Sequence, residues 1–274
     1  DAVPFTLWNI FAIRFERRGT ICARFYFRHL DHLRITAGHH EGCPEPLSTA
    51  TRIPIPRPEH EAATAKMNRK IARFLIDRQP ETPCLVVDLE IVADNYRTLR
   101  RAIPLAEIFY AVKANPAPEI LSVLRDLGSS FDGASIYEIE RCLGAGVAPE
   151  RLSFGSTIKK ARDIAAAYAH GVRLFAFDSA GELDKLAIEA PGARVYCRIL
   201  MEGHGADWPL SDKFGCHVEM AADLMIEASR RGLDPYGVSF HVGSQQRDID
   251  QWDIALGRTA IVFSALNAAG IELK

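Results

Sequence analysis

The stretch RLFAFDSAGELDKLAIEAPGARVYCRIL, residues 173–200, contains the pattern on which the fold prediction depends. A short apolar run leads into a polar segment with helical spacing, and a second apolar run containing Val195 and Tyr196 follows it. Strands that alternate with helices in this way predict a parallel sheet covered by helices. This stretch is therefore interpreted as one strand–helix–strand unit.

The same alternation extends along most of the chain. Predicted strands lie at CLVVD (84–88), IFYAVKAN (108–115), SSFDGAS (129–135), RLSFGS (151–156), RLFAFDS (173–179), ARVYCRIL (193–200) and YGVSFHVGS (236–244). An open nucleotide-binding sheet should carry G-x-G-x-x-G or G-x-x-x-x-G-K after its first strand, and neither motif is present. We therefore predict an α/β fold, a TIM-like (β/α)8 barrel that is truncated after about six strands.

The composition and net charge of the chain indicate what kind of partner it binds. The 274 residues are 48% hydrophobic and 25% charged, as in an ordinary globular protein, and the net charge is -2. A nearly neutral chain gives no electrostatic reason to expect nucleic acid or an anionic membrane. No apolar run approaches the roughly 18 residues that a bilayer requires. The composition predicts a small-molecule partner.

The six cysteines are scattered along the chain, at positions 22, 43, 84, 142, 197 and 216. They form no C-x-x-C pair, and the histidines form no cluster with the spacing of metal ligands. The sequence therefore predicts no metal site and no disulfide framework. This pattern favours a reducing, cytoplasmic setting.

The character of the chain changes near Met67. Residues 34–66 are rich in Pro, Thr, Glu and His and show no sustained helical or strand period, which is typical of a linker or disordered segment. We expect residues 1–66 to be a disordered or non-native extension. Residues 67–274 are expected to be the N-terminal part of the barrel, incomplete because two strands are missing.

Reactive side chains follow the predicted strands, at the end where barrel enzymes have their active sites. They are Lys113, Asp132 with Ser135, Ser156, Asp178, Arg198, and His241 with Ser244. Lys113 shares one strand face with Phe109 and Ala111 if the strand continues through it, so its amine would point into the barrel mouth. There it would lose hydration, which favours the neutral nucleophile that a Schiff base requires. Alternatively, Lys113 pairs with a carboxylate such as Asp132 or Glu138.

Three motifs carry a resemblance to a known family. FYAVKANP (109–116), FDGASIYEIE (131–140) and GVSFHVGSQ (237–245) occur in the order and at the separations of the pyridoxal-phosphate-dependent decarboxylases with an alanine racemase-like barrel. The chain resembles in particular the bacterial ornithine/lysine decarboxylases. The similarity covers residues 67–274.

The resemblance implies roles for six residues. Lys113 would bind pyridoxal phosphate as a Schiff base, His241 would lie over the cofactor ring, and Ser244 would bind the phosphate. Asp132, Glu138 and Arg198 would line the pocket.

The resemblance also implies decarboxylation of L-ornithine to putrescine, or of L-lysine to cadaverine, by a homodimer. In relatives, a glycine-rich phosphate loop, an acidic partner of the pyridine nitrogen and a C-terminal β-domain follow the position of Lys274. This chain lacks all three, so it is expected to be an inactive fragment by itself.

Several alternatives remain open at this point. Ser135-x-x-Glu138 is also a capping-box pattern, which would make Glu138 structural. His241 could be a core histidine with ordinary hydrogen bonds. A diaminopimelate decarboxylase or a racemase would use the same Lys113. A non-catalytic regulator and a small barrel that only carries the cofactor are alternatives of a different class.

Overall fold

The computed structural model describes residues 21–28, 32–39, 68–208 and 213–273. Strands β1 (Ile21–Arg28) and β2 (His32–His39) pair as an antiparallel ribbon. The ribbon lies inside residues 1–66, for which the sequence predicts disorder or a non-native extension. The rest of that range lies outside the described residues, so the nature of the extension stays a prediction.

Six parallel strands form the main sheet, as predicted. They are β3 (Phe109–Ala111), β4 (Ser130–Gly133), β5 (Leu152–Phe154), β6 (Leu174–Phe177), β7 (Arg194–Arg198) and β9 (Asp234–Ser239). Their order in the sheet is their order in the chain. An open doubly wound sheet reverses its strand order at the ligand site. The continuous order confirms the prediction of a partial barrel.

Helices connect the strands and cover one face of the sheet. They are α1 (Arg69–Arg78), α2 (Leu89–Ala102), α3 (Pro118–Asp126), α4 (Ile136–Gly144), α5 (Ala161–Ala169), α6 (Ala180–Glu189), α7 (Val218–Arg230) and α8 (Asp250–Ala268). Within the described helices there is none with the length and apolar character needed to cross a bilayer.

The two faces of the strands have different chemistry. Phe175 and Phe177 of β6, with Val195 and Cys197 of β7, are fully buried in the hydrophobic core between sheet and helices. Alternation along a strand places Tyr196 and Arg198 on the opposite, barrel-interior face. Polar side chains therefore collect inside the barrel, where the site residues are expected.

The predicted strand CLVVD is absent. Residues 84–88 are extended chain without strand pairing, and Leu85 and Val87 are 66% and 40% exposed. In the described part of the chain, no strand lies beside them to accept backbone hydrogen bonds. Asp88 instead caps α2, accepting a hydrogen bond from the Glu90 amide at 3.0 Å. The prediction of a strand at residues 84–88 is therefore wrong.

The long connection after β7 contains structure that the sequence does not reveal. Strand β8 (Ala206–Trp208) pairs antiparallel with β10 (Ser244–Gln246). This pairing begins at Ser244, one of the predicted site residues. It ties the chain after β9 to the connection between β7 and α7.

Candidate cofactor site

Lys113 lies on a 3-10 turn at the end of β3. The strand stops at Ala111, and residues Val112–Ala114 form the turn. Asn115 then accepts a hydrogen bond from the Ala117 amide at 3.1 Å, which starts α3. The predicted continuous strand face is therefore wrong, and so is the predicted loss of hydration, because Lys113 is exposed. Lys113 follows the carboxyl end of β3, and its role in the site stays a prediction.

Asp132 is the buried anion of the site. Its residue is 9% exposed, and burial raises the pKa of its carboxyl to about 6. A hydrogen bond from Ser153 and the charges of Lys113 and Arg198 favour the ionised form and limit this rise in pKa. Asp132 packs directly over Gly155, where an added Cβ would lie 2.1 Å from Oδ1.

Arg198 is the cation on the interior face of β7. Burial lowers the pKa of its guanidinium, while the nearby groups of Asp178, Tyr196 and Asp132 favour the charged form. The guanidinium carbon lies 5.1 Å from the centroid of the Phe214 ring. Arg198 therefore lies near the carboxyl groups of Asp132 and Asp178 and against the ring of Phe214.

His241 follows β9 with its imidazole fixed by the backbone. Its Nδ1 accepts a hydrogen bond from the Gly243 amide at 2.9 Å, which leaves the proton of a neutral ring on Nε2. Burial lowers the pKa of His241 to about 4, and the charges of Arg198 and Lys113 add to this lowering. The imidazole is therefore neutral at pH 7 and lies within electrostatic range of both cations.

Ser244 presents an unsatisfied hydroxyl. The residue is 6% exposed, and its Oγ has no hydrogen-bond partner. An unpaired buried hydroxyl costs free energy unless a ligand or water satisfies it. The neighbouring Gly243 amide is not free to bind an anion beside this hydroxyl, because it already donates to His241.

Glu138 has a structural role at the start of α4. Its amide donates to Ser135 Oγ at 3.3 Å, and its Oε2 accepts from the Ala134 amide at 2.7 Å. This confirms the capping pattern. The carboxylate is also close enough to raise the pKa of Asp132.

Sequence reasoning gave the strand-end residue Asp178 no role in the site and did not find Tyr196. Asp178 accepts a hydrogen bond from the Gly215 amide at 2.8 Å and lies near Arg198. Tyr196 contacts Ser153, with the two hydroxyl oxygens 2.8 Å apart. Alternation along β7 is the signal that could have found Tyr196, which lies two residues before Arg198. Ser156, a predicted strand-end residue, bonds locally to the Ile158 carbonyl at 2.9 Å.

Among the described side chains, no cluster of three or more His, Cys, Asp or Glu could hold a metal ion. The arrangement instead combines an exposed amine, a neutral imidazole, a buried carboxylate and guanidinium, and a free hydroxyl. These groups suit an organic anion with a reactive carbonyl rather than a metal.

The opposite pKa shifts of Asp132 and His241 predict opposite effects on the pH dependence of apoprotein stability. The folded pKa of Asp132, about 6, lies above its ordinary 3.8, so its contribution to stability falls as pH rises from 4 to 6. Asp132→Asn should therefore raise the free energy of unfolding by on the order of 3 kcal/mol at pH 7 and not at all below pH 4.

His241→Gln provides the opposite case. The folded pKa of about 4 lies below the ordinary 6.5, so stability from His241 is present above pH 6.5 and is lost as pH falls through 4. Replacing His241 by glutamine should therefore raise the free energy of unfolding only at acidic pH. Urea denaturation at pH 4 to 7.5 measures both variants. A gain from Asp132→Asn that does not change with pH would contradict the burial of an ionisable carboxyl.

Known proteins with similar sequence and structure identify the family. Residues 89–274 match the family described as "Pyridoxal-dependent decarboxylase, pyridoxal binding domain". A lysine/ornithine decarboxylase from Selenomonas ruminantium is 41% identical over 208 residues, which are 76% of this chain and 53% of that protein.

Two groups of solved structures share the fold. A crystal structure of an SrLDC mutant in complex with PLP matches with a TM-score of 0.72 and 40% identity over 76% of this chain and 54% of that chain. The Paramecium bursaria Chlorella virus arginine decarboxylase matches with a TM-score of 0.72 and 29% identity, over 76% and 56%. The chain spans about half the length of the relatives it matches. It belongs to the pyridoxal-dependent decarboxylases, and residues 89–274 are its pyridoxal-binding domain.

Proposed function

We propose that this chain carries the cofactor-binding half of a decarboxylase that acts on a basic amino acid, with L-ornithine the expected substrate and L-lysine the second. One observation carries the proposal. Lys113, Asp132, Arg198 and His241 meet at one end of the parallel sheet, where the charges of Lys113 and Arg198 lower the pKa of both the Asp132 carboxyl and the His241 imidazole. The name of the Selenomonas ruminantium relative, a lysine/ornithine decarboxylase, supports this choice of substrates.

The residues present fit pyridoxal phosphate. The Ser244 Oγ is buried without a hydrogen-bond partner. Its hydroxyl is therefore suited to donate a hydrogen bond to a phosphate oxygen. The exposed amine of Lys113 can reach a ligand carbonyl without breaking an existing ion pair, because none of the described ion pairs includes it. Asp132, Glu138 and Arg198 supply charges around the same mouth.

Each residue has a proposed task in the reaction. Lys113 would hold the cofactor covalently, and His241 would pack against it as a neutral ring whose orientation the Gly243 amide fixes. Arg198 and Asp132 set the electrostatic field at the interior of the barrel. When bound, pyridoxal phosphate supplies an electron-accepting ring that stabilises the carbanion left by loss of CO2.

Assaying the protein encoded by the complete reading frame tests the function. Release of CO2 from L-ornithine, L-lysine, L-arginine and meso-diaminopimelate should be measured in parallel, with the product identified by mass. We expect putrescine or cadaverine to dominate. Turnover of diaminopimelate alone, or of none of the four, would contradict the proposal.

Ser244→Ala should weaken binding of pyridoxal phosphate about 10- to 100-fold, because hydrogen bonds to charged groups contribute roughly 1.5–3 kcal/mol. Titration of the apoprotein followed by cofactor absorbance measures the dissociation constant. Ser156→Ala is the matched control, since that hydroxyl is engaged with the Ile158 carbonyl. Equal affinities for the two variants would remove Ser244 from the site.

We also propose that the complete protein is a cytoplasmic homodimer and that residues 1–66 are dispensable. The sequence resemblance supports the first statement, and the composition before Met67 supports the second. Sedimentation velocity should give twice the subunit mass. Deletion of residues 1–66 with loss of the cooperative unfolding transition would contradict the second statement.

A further inference from the structure

Two buried thiols face each other next to the site. Cys197 Sγ and Cys216 Sγ lie 3.6 Å apart, and the residues are 0% and 7% exposed. All four cysteines whose side chains the structure describes are free. The other two are Cys84, which is exposed, and Cys142, which is buried. The pair has no part in the function proposed above.

The backbone holds both thiols in place. The Cys216 amide donates to the Arg198 carbonyl at 3.0 Å, and the Leu200 amide donates to the Cys216 carbonyl at 2.9 Å. Cys216 therefore lies opposite Ile199, as an extension of the sheet beside β7. Because residues paired across a sheet point to the same face, Cys216 shares the face of Ile199 and of Cys197 two residues earlier.

The segment that carries Cys216 also contacts the site. Phe214 lies over Arg198, and the Gly215 amide donates to Asp178. Gly215 has φ of +97°, and an added Cβ would lie 2.7 Å from the Ile199 backbone, so the close approach requires glycine here. Any restraint on Cys216 thus acts on residues in contact with Arg198 and Asp178.

We propose that Cys197 and Cys216 are a thiol pair that forms a disulfide on exposure to a small-molecule disulfide, and that this bond fixes residues 213–216 against β7. The sulfur atoms must close from 3.6 Å to about 2.0 Å. Both backbones lie in one hydrogen-bonded ladder, which places the two sulfur atoms on the same face of the sheet.

The chemistry balances with a disulfide such as oxidised glutathione as the oxidant. The Cys216 thiolate attacks one reagent sulfur, forms a mixed disulfide and releases one reduced thiol. The Cys197 sulfur then attacks the Cys216 sulfur of the mixed disulfide and releases the second reduced thiol. One reagent S–S bond breaks, one protein S–S bond forms, and the two protons from the cysteines end on the released thiols.

Cys216 is the attacking residue of the pair. The hydrogen bond with Cys197 lowers the pKa of the Cys216 thiol, and the same contact with burial raises that of Cys197. Cys216 is also the more accessible of the two. The second step needs no access from solvent because the two sulfurs are already in contact.

Peptide mapping without reduction tests the proposal. The protein from the complete reading frame is incubated with oxidised glutathione, alkylated under denaturing conditions and cut with trypsin, which separates the two cysteines at Arg198 and Lys213. We expect peptides 195–198 and 214–230 to appear as one disulfide-linked species that dithiothreitol releases. Recovery of both as alkylated thiols, while Cys84 carries glutathione, would overturn the proposal.

Matched variants assign the bond. Cys216→Ser should abolish the linked species, whereas Cys142→Ser should leave it intact. Amide hydrogen exchange in residues 213–216 should slow on oxidation of the wild type and stay unchanged in Cys216→Ser. A linked species without slower exchange would overturn the proposed restraint. Neither readout depends on turnover, so failure of the proposed enzymatic function would not be confused with failure of this inference.

Discussion

Replacing Glu182 by glutamine is expected to lower the free energy of unfolding by about 3–5 kcal/mol, the usual cost of leaving a buried charge without its partner. The Lys159 and Glu182 side chains are 0% and 3% exposed, with Nζ and Oε1 2.9 Å apart. Lys159 also donates to the carbonyls of Ser156 and Ala176, at the ends of β5 and β6. Burial already lowers the pKa of Lys159 to about 8, so Glu182 is needed to keep this amine charged in the core.

Replacing both partners of the ion pair separates the cost of the unpaired charge from the value of the pair itself. The double variant Lys159→Met with Glu182→Leu should recover most of the stability lost in Glu182→Gln, because apolar replacement of both partners removes the unpaired charge. Lys185→Gln is the control. Lys185 contacts the same carboxylate but is 32% exposed, and we expect a loss below about 1 kcal/mol. Urea denaturation gives the free energy of unfolding of the wild type and of the three variants. If Glu182→Gln lost as little stability as Lys185→Gln, the result would contradict the buried ion pair.

Gly155→Ala is expected to disrupt the site itself. The new methyl carbon would lie 2.1 and 2.3 Å from the two carboxylate oxygens of Asp132, far inside contact distance. The Gly155 amide is held by the Gly133 carbonyl at 2.9 Å, so the carboxylate rather than the backbone must move. We expect a loss of about 1–3 kcal/mol in stability. In the complete enzyme, turnover should fall about 100-fold, as a 1 Å misplacement of site groups typically causes.

Gly181→Ala is the matched substitution for this test. Gly181 lies inside α6, and nothing lies within 4 Å of its added Cβ. Alanine favours a helix by about 1 kcal/mol over glycine, so this variant should be slightly more stable with unchanged turnover. Indistinguishable behaviour of the two alanine variants would show that Asp132 does not occupy the space above Gly155.

Local sequence signals predicted most of the fold. Apolar periodicity predicted the six barrel strands. The capping pattern at Ser135 predicted the start of α4, where the hydroxyl accepts a hydrogen bond from the amide three residues later. These features depend on neighbours within one turn, so the sequence contains the information directly.

The errors arose where long-range contacts decide the outcome. CLVVD has strand composition, but the described chain offers it no partner strand. Lys113 lies on an exposed turn, because β3 ends at Ala111, four residues before the end of the predicted strand. The Lys159–Glu182 and Cys197–Cys216 contacts join residues 23 and 19 positions apart. No local pattern predicts such pairs, because the barrel winding brings them together.

Borohydride reduction tests the central claim most directly. The protein from the complete reading frame is incubated with pyridoxal phosphate, reduced and mapped by peptide mass, with Lys113→Arg treated in parallel. We predict a pyridoxyl group on the peptide that contains Lys113 in the wild type and none at that position in the variant. An unmodified Lys113, or an adduct on another lysine such as Lys159, would contradict the assignment of the cofactor site.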